Sequence, residues 1–589
     1  MRHLKEVIPA YQETNTLYQF EYPSVTADKQ TRSQGSLVAY PGHELVAQDL
    51  AENSSLQVQL REAVADMSLP PAYYDHPIVK EHGTDENPVL PLGIYADGVQ
   101  YSQVDTAIGF WLVNVITGMR FLMRVLRKSL ICTRGCRGWC TLREIFSFVA
   151  WCVASLAAGA YPAERHTGEP FRAGFDDYRS RLSGQTMPAR SCIIFIKGDW
   201  SEYANTFGLS NWADSLRPCF CCPCDKGDMF LYHGCSVAGL RWACDAEGDY
   251  FAACDRCEIW TTVSAEQHAQ ILPLLFYDRR KNGNHGRCLS KPFPGLGLLA
   301  GDRLEPHAGM SDVGQAFDNW TMFPLLLCWW RASMESMCKH RNPLFLRHVG
   351  VTPWRCITVD LMHTIHLGVT QAFAKMVIWE LLVCGAWASW PSVEETVAAS
   401  IIVCGNEWSQ WCKSYQQQNP GVKVSSFRFS KKTVGDASSR KLAAKASQCW
   451  YFTLFLLDVL RRVKHRVPGG TRMLEAGEAL TGMVRLFQHN SWRITDTVWQ
   501  NAWDLWLRFC CLSEEWPSIP KQHLTMHLLE CVPFFRNPLA YANWRDEDLN
   551  RLLKKCCRGV SQRTFETVVL QNTRYLLSSE GRKRSWRRE

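Results

Sequence analysis

The chain has 589 residues, 46% of them hydrophobic and 21% charged, enough apolar material for about three to five packed units, which excludes a disordered or low-complexity protein. Its 65 Lys and Arg against 57 Asp and Glu leave a net charge of +8. That mild basicity permits a nucleic-acid partner without requiring one. The 26 Cys fit either a disulfide-bonded exported protein or free thiols and metal sites in a reducing compartment. The start, MRHLKEVIPAYQETN, has no apolar core of a signal peptide. Cys152, Cys328, Cys384 and Cys449 sit inside apolar runs, where cysteine serves as a small hydrophobe. The expectation is a nuclear or cytoplasmic protein, not a secreted one.

Residues 1–85 read as a polar segment, mostly irregular, with a short helical pattern around Glu44–Met67. Pro88 to Gly98 is an apolar strand ending at Asp97. Asp105–Gly118 is a second strand, and Arg120–Cys132 a third, with Phe121, Met123 and Val125 alternating against Arg120 and Arg124. An apolar helix follows near 142–160. Ile145–Ala163 is uncharged over 19 residues, close to bilayer-spanning length, but polar residues inside it and its Tyr-Pro end favour a buried core helix and no membrane contact. A fourth strand, Ser191–Ile196, runs into Lys197-Gly198-Asp199. The fold class is α+β. Residues 86–215 form its first compact part, 216–300 a Cys-rich segment, 301–520 a helical region, 521–577 further helices and 578–589 a basic tail.

Asp97 and Asp199 each end a strand, so they stand side by side if those strands are neighbours. Carboxylates converging from separate elements are what a two-metal phosphodiester site needs; singly, each is ordinary turn chemistry. Lys197 is a candidate for a phosphate contact or a solvent-facing lysine. The segment Trp544-Arg-Asp546-Glu547-Asp548-Leu-Asn550 offers a third carboxylate, and spacing alone does not choose Glu547 over Asp546, Asp548 or Glu566. Acidic residues there also suit the first turn of a helix.

Metal-ligand spacings recur. Cys219-Phe-Cys221-Cys222-Pro-Cys224 overlaps two C-x₂-C pairs and Cys254-Asp-Arg-Cys257 adds another, as in structural zinc sites or as incidental buried thiols. His523 and His527 share a helix face at i,i+4, and Asp360, His363 and His366 form a D-x₂-H-x₂-H cluster. Arg120, Arg124, Arg127, Lys128, Arg134 and Arg137, then Lys431, Lys432, Arg440 and Lys441, and Arg461, Arg462, Lys464 and Arg466, are candidates to meet phosphates or are solvated faces. The interleaved Trp could stack on unpaired bases.

In order, these motifs resemble eukaryotic DDE transposases of the CACTA (En/Spm), Plavaka and Kyakuja–Dileera–Zisupton group. The residues that carry the likeness are Tyr95-Ala-Asp97-Gly98-Val99, Gly198-Asp199 with Cys219 and Cys222, Asp360-Leu-Met-His363, and Lys521-Gln-His523-Leu-Thr-Met-His527 before Asp546-Glu547-Asp548-Leu-Asn550. Ala96 departs from the Asn usual in that group. The resemblance implies a ribonuclease-H-like core interrupted by a large, mainly helical, Cys-rich insertion. It implies metal-dependent DNA cleavage and strand transfer, with Asp97, Asp199 and Glu547 catalytic and holding Mg (or Mn). DNA is then the partner, with homo-oligomerisation open and no small-molecule substrate. By analogy Cys219 and Cys222 join His523 and His527 around a structural Zn, with Asp360 and His363 as rival partners and Cys254 and Cys257 as further candidates. The alternative is a catalytically inactive, transposon-derived DNA- or protein-binding protein that keeps the fold.

Overall fold

The computed structural model describes residues 17–25, 32–132, 138–213, 218–222, 224, 226, 227, 229, 342–346, 349–351 and 353–577. The described chain is mixed α+β. It opens with strands β1 (Tyr18–Val25) and β2 (Arg32–Ala39), an antiparallel hairpin, and helix α1 (Gly42–Glu52). The expectation of a mostly irregular 1–85 is corrected here. Tyr18, Phe20 and Tyr22 are buried while Gln19 and Glu21 face solvent, so half of each strand is polar and dilutes the apolar signal.

A four-stranded sheet follows from β3 (Leu90–Gln100), β4 (Thr106–Asn114), β5 (Arg120–Arg127) and β6 (Ser191–Lys197), in the order β5-β4-β3-β6. Strands β3–β4 and β4–β5 are antiparallel, and β6 lies parallel to β3 with Tyr95 opposite Lys197. Between β5 and β6 runs α2 (Trp139–Ala158). Among the described helices it alone is long and apolar enough to cross a bilayer. Its Ile145, Phe146, Phe148, Val149, Cys152, Val153 and Leu156 are buried, and Phe148 stacks 5.2 Å from Phe20 of the hairpin. A short helix, α3 (Trp200–Asn205), begins directly after Asp199.

Beyond it lies a helical body. A π-helical segment, Met362–Thr370, leads into α4 (Gln371–Val383), α5 (Val393–Gln418), α6 (Ala446–Val463), α7 (Gly470–His489) and α8 (Asp496–Leu512). Trp379, Trp408, Trp503 and Trp506 are fully buried in its core. These four fill space between helices and are not presented to bases, whereas Trp212 and Trp390 are exposed. Helix α9 (Pro520–Glu530) packs on the π-helical segment. Helices α10 (Trp544–Cys557) and α11 (Phe565–Leu577) return to the sheet, where Leu549, Leu553, Phe565 and Val569 join the core.

Three expected phosphate contacts, Arg120, Arg124 and Arg127, fail, and an irregularity in β5 sets which way each turns. Arg124 pairs with Phe110 but Leu122 with Trp111, so Met123 is an extra residue in the ladder. Such a bulge reverses the alternation beyond it. Arg120 and Arg127 therefore reach the C-terminal helices, Arg120 to Asp546 and Arg127 to Glu566 at 2.7 Å. Arg124 turns to the hairpin, buried 5.0 Å from the Phe20 ring, and burial lowers its pKa to about 9. None of the three offers a free cation to a phosphate.

Lys197 is likewise buried, paired with Asp546. Asp546, with no exposed side-chain surface, also accepts from Arg120 Nε at 2.9 Å. This triad fixes α10 against β5 and β6. Removing one partner of a buried ion pair strands charge in the interior. We expect Asp546→Ala to cost about 3–5 kcal/mol in urea unfolding, whereas Asp548→Ala, on the exposed face of α10, leaves the midpoint within about 0.5 kcal/mol.

Candidate functional site

Asp97 and Asp199 each lie two residues beyond the paired Tyr95 and Lys197 on adjacent parallel strands. Neighbouring strands run about 4.8 Å apart, so both carboxylates emerge together at one end of the sheet. Asp199 caps α3, with Oδ1 accepting from the Glu202 amide at 2.7 Å. Asp97 Oδ2 accepts from the Tyr95 hydroxyl at 2.8 Å and from Asn550 Nδ2 at 2.5 Å. Burial, then the negative charges of Glu202 and Asp199, push the Asp97 pKa up to about 6.

Glu547 comes to the same place from α10. Burial and the charge of Asp97 raise its pKa, while His363 acts in the opposite sense. His363 Nε2 lies 3.6 Å from Glu547 Oε1. Its Nδ1–H donates to Asp360 Oδ2 at 2.7 Å, and Asp360 Oδ1 accepts from the Asn543 amide at 2.8 Å, just before α10. Burial alone would lower the His363 pKa, but Asp360, with Asp199 and Glu547, outweighs it and raises it. The rival acids are committed elsewhere: Asp546 to Arg120 and Lys197, Asp548 to Arg551 and Glu566 to Arg127. Glu547 is acted on by both Asp97 and Asp199.

The Cys219 and Cys222 thiols gather with His523 and His527, while Asp360 and His363, the rival zinc partners, pair with each other. His363 belongs to the acidic site. His366 is buried between Trp450 and Trp544, at 5.5 and 5.4 Å between ring centroids, and burial lowers its pKa to about 4. Three participants escaped sequence reasoning: Glu202, Tyr95 and Asn550. Asn550 follows Glu547 by three residues on one helix, a spacing that places both on one face; Tyr95 precedes Asp97 by two on a strand, with the same effect.

A second group lies where α9 meets the Cys-rich segment. Ligand atoms of Cys219, Cys222, His523 and His527, all buried, lie within 4.8 Å of one another. His523 Nδ1–H donates to the Met229 carbonyl at 3.1 Å and His527 Nδ1–H to Glu530 Oε2 at 2.6 Å. Both Nε2 atoms are thereby left as lone pairs facing each other at 3.1 Å, with Cys222 Sγ 3.3 Å from His523 Nε2. Opposed lone pairs in a buried pocket repel unless a proton or a metal ion lies between them. The backbone and carboxylate acceptors behind the rings are the outer shell usual for metal-bound imidazoles. This Cys₂His₂ group could hold a metal such as zinc. A third thiol, Cys224, lies 3.6 Å from His523 Nε2. Cys254 and Cys257 lie outside the described residues.

Searches of protein-family models, curated proteins and solved structures find no match for this chain.

Two outcomes follow from these geometries. The purified chain should bind one equivalent of Co²⁺ with thiolate-to-metal absorption, and Cys219→Ser or His527→Ala should abolish both that absorption and the metal's contribution to the thermal midpoint. For Asp97, a folded-state pKa raised above the usual 3.8 means that its stability contribution is complete below about pH 4 and lost as pH rises through about 6. Without divalent cations, Asp97→Asn should therefore match the wild type at pH 4 and exceed it at pH 7.5, by up to about 3 kcal/mol.

Proposed function

We propose that this chain is a DDE-type transposase-like protein that cleaves DNA phosphodiesters and transfers the strand, built on a ribonuclease-H-like core with a helical insertion between Asp199 and Glu547. The observation that carries the reading is the meeting of Asp97 and Asp199, from adjacent parallel strands, with Glu547 from a helix across the same sheet end. Strand order supports it: three antiparallel strands in sequence, then β6 parallel to the first of them.

Carboxylate oxygens are the ligands a hard cation takes, though among the described residues only the Cys₂His₂ group already has its ligand atoms within 4.8 Å of one another. Asp97, Asp199, Glu202 and Glu547 supply carboxylate oxygens, and the raised pKa values of Asp97 and Glu547 mark negative charge that a cation would relieve. Magnesium or manganese held by Asp97, Asp199 and Glu547 would lower the pKa of a bound water and neutralise charge on the phosphoryl oxygens. The chain's own part is placement. Tyr95 and Asn550 fix the Asp97 carboxylate from two directions. The cap on α3 fixes Asp199. The buried Asp360 orients His363, which bears on Glu547.

Zinc is the metal we assign to the Cys₂His₂ group, where thiolates and imidazoles suit a borderline-soft ion in a closed tetrahedral site. There it would tie the Cys-rich segment to α9 and stabilise the insertion. Nuclear residence follows from the proposed substrate.

The test is cleavage of plasmid and oligonucleotide DNA by the full chain in Mg²⁺ or Mn²⁺. Asp97→Asn, Asp199→Asn and Glu547→Gln should each reduce the rate about a thousandfold, equivalent to several kcal/mol of transition-state stabilisation. A wild-type chain that binds DNA but cleaves none in either metal would leave a binding protein that keeps the fold.

A further inference from the structure

An acidic site repels the polyanion it is proposed to cut, so cations must meet the phosphate as well. The expected Arg120, Arg124 and Arg127 are committed to the interior. Two lysines are not, and each runs past a glycine. Lys128, just after β5, brings its ammonium beside the Asp97–Gly98 step. A Cβ on Gly98 would lie 3.1 Å from Lys128 Nζ and 3.2 Å from Glu202 Oε1. The Lys128 side chain stays 44% exposed although it pairs with Glu202 at 3.8 Å.

Lys521 enters from the first turn of α9. Its stem crosses Gly368 of the π-helical segment so closely that a Cβ there would lie 2.5 Å from Lys521 Cδ. Lys521 Nζ donates to the Leu367 carbonyl at 3.4 Å, a long bond that leaves two N–H groups over. Asp199 and Asp360 are the carboxylates acting on it, yet among the described residues it makes no ion pair with either. A half-buried ammonium held only by that long carbonyl bond has N–H groups to offer an incoming anion.

We propose that Lys128 and Lys521 are the phosphate-binding cations of the acidic site, gripping the non-bridging oxygens of a DNA phosphodiester from two separate elements, with Gly98 and Gly368 keeping their paths open. This rests on the phosphodiester reading above and names the residues that hold its substrate. A lysine serves here as a point charge for phosphate.

The experiment measures affinity of the full chain for a fluorescein-labelled DNA duplex across a KCl series without added magnesium, and cleavage separately in magnesium. Each phosphate contact contributes about 0.9 to the slope of log K against log[KCl]. Lys128→Ala and Lys521→Ala should each reduce the slope by about that amount and the pair by about twice it. Gly368→Ala keeps every charge but meets the Lys521 stem at 2.5 Å and the His363 carbonyl oxygen at 3.1 Å, so it should reproduce the Lys521→Ala slope at some cost in thermal midpoint. Wild-type slopes in Lys521→Ala and Gly368→Ala overturn the proposal. If Asp97→Asn abolishes cleavage while the lysine variants bind and cleave as wild type, the nuclease reading stands and the clamp falls. If no variant affects cleavage but the slopes drop, the clamp stands as a binding site and the nuclease reading falls. A chain that binds no duplex removes both.

Discussion

Asp546 sits with no solvent contact between Arg120 of β5 and Lys197 of β6, and the position of everything at the sheet's end depends on that ion triad. Charges so far from water are held only while they are paired, so α10 cannot slide or rotate without stranding a cation. Its fixed rotation points Glu547 at His363 and Asn550 at Asp97, while Leu549 and Leu553 enter the core. The neighbour of the structural acid is thereby the functional candidate. Adjacent residues on a helix point about 100° apart, and one fixed residue sets the direction of the next.

The acidic site and the Cys₂His₂ group are mechanically linked through α9. That helix carries His523 and His527 toward the thiols and Lys521 toward Asp199. It packs on the π-helical segment that also holds His363 and Gly368. Widened helical turns are uncommon and recur at functional sites. Here the segment turns His363 to the acids, buries His366 among tryptophans and, at Gly368, leaves the path of Lys521 open. A cation at the Cys₂His₂ group would brace α9, and through it the wall of the acidic site.

Much of the sheet was legible because strands buried on both faces read as continuous apolar runs. Leu90–Ala96, Ala107–Asn114 and Ser191–Ile196 show this, and Asp97, which the structure places inside β3 opposite Gly109, and Asp199, just after β6, stand out against it. The hairpin at Tyr18–Ala39 was not legible, since one solvated face hides half its pattern. The bulge at Met123 has no sequence signature, and so Arg120 and Arg124 were expected on one face but lie on opposite faces. Spacing of three in Asp360–His363–His366 suggested one cluster, but that inference assumes α-helical turns.

The sequence by itself determined the composition of the chemistry: carboxylates in or just after apolar strands, thiols and imidazoles at ligand spacings, and lysines among them. Those are local properties, set by residue type and by short-range periodicity. Tertiary structure alone decided which acid of the 546–548 run faces Asp97, that Lys197 is structural, and that Cys222 lies within 3.3 Å of a histidine 301 residues away. Such choices depend on long-range burial and ion pairing. Their energies exist only once the elements have packed, because an unpaired charge costs little in water and much in the interior.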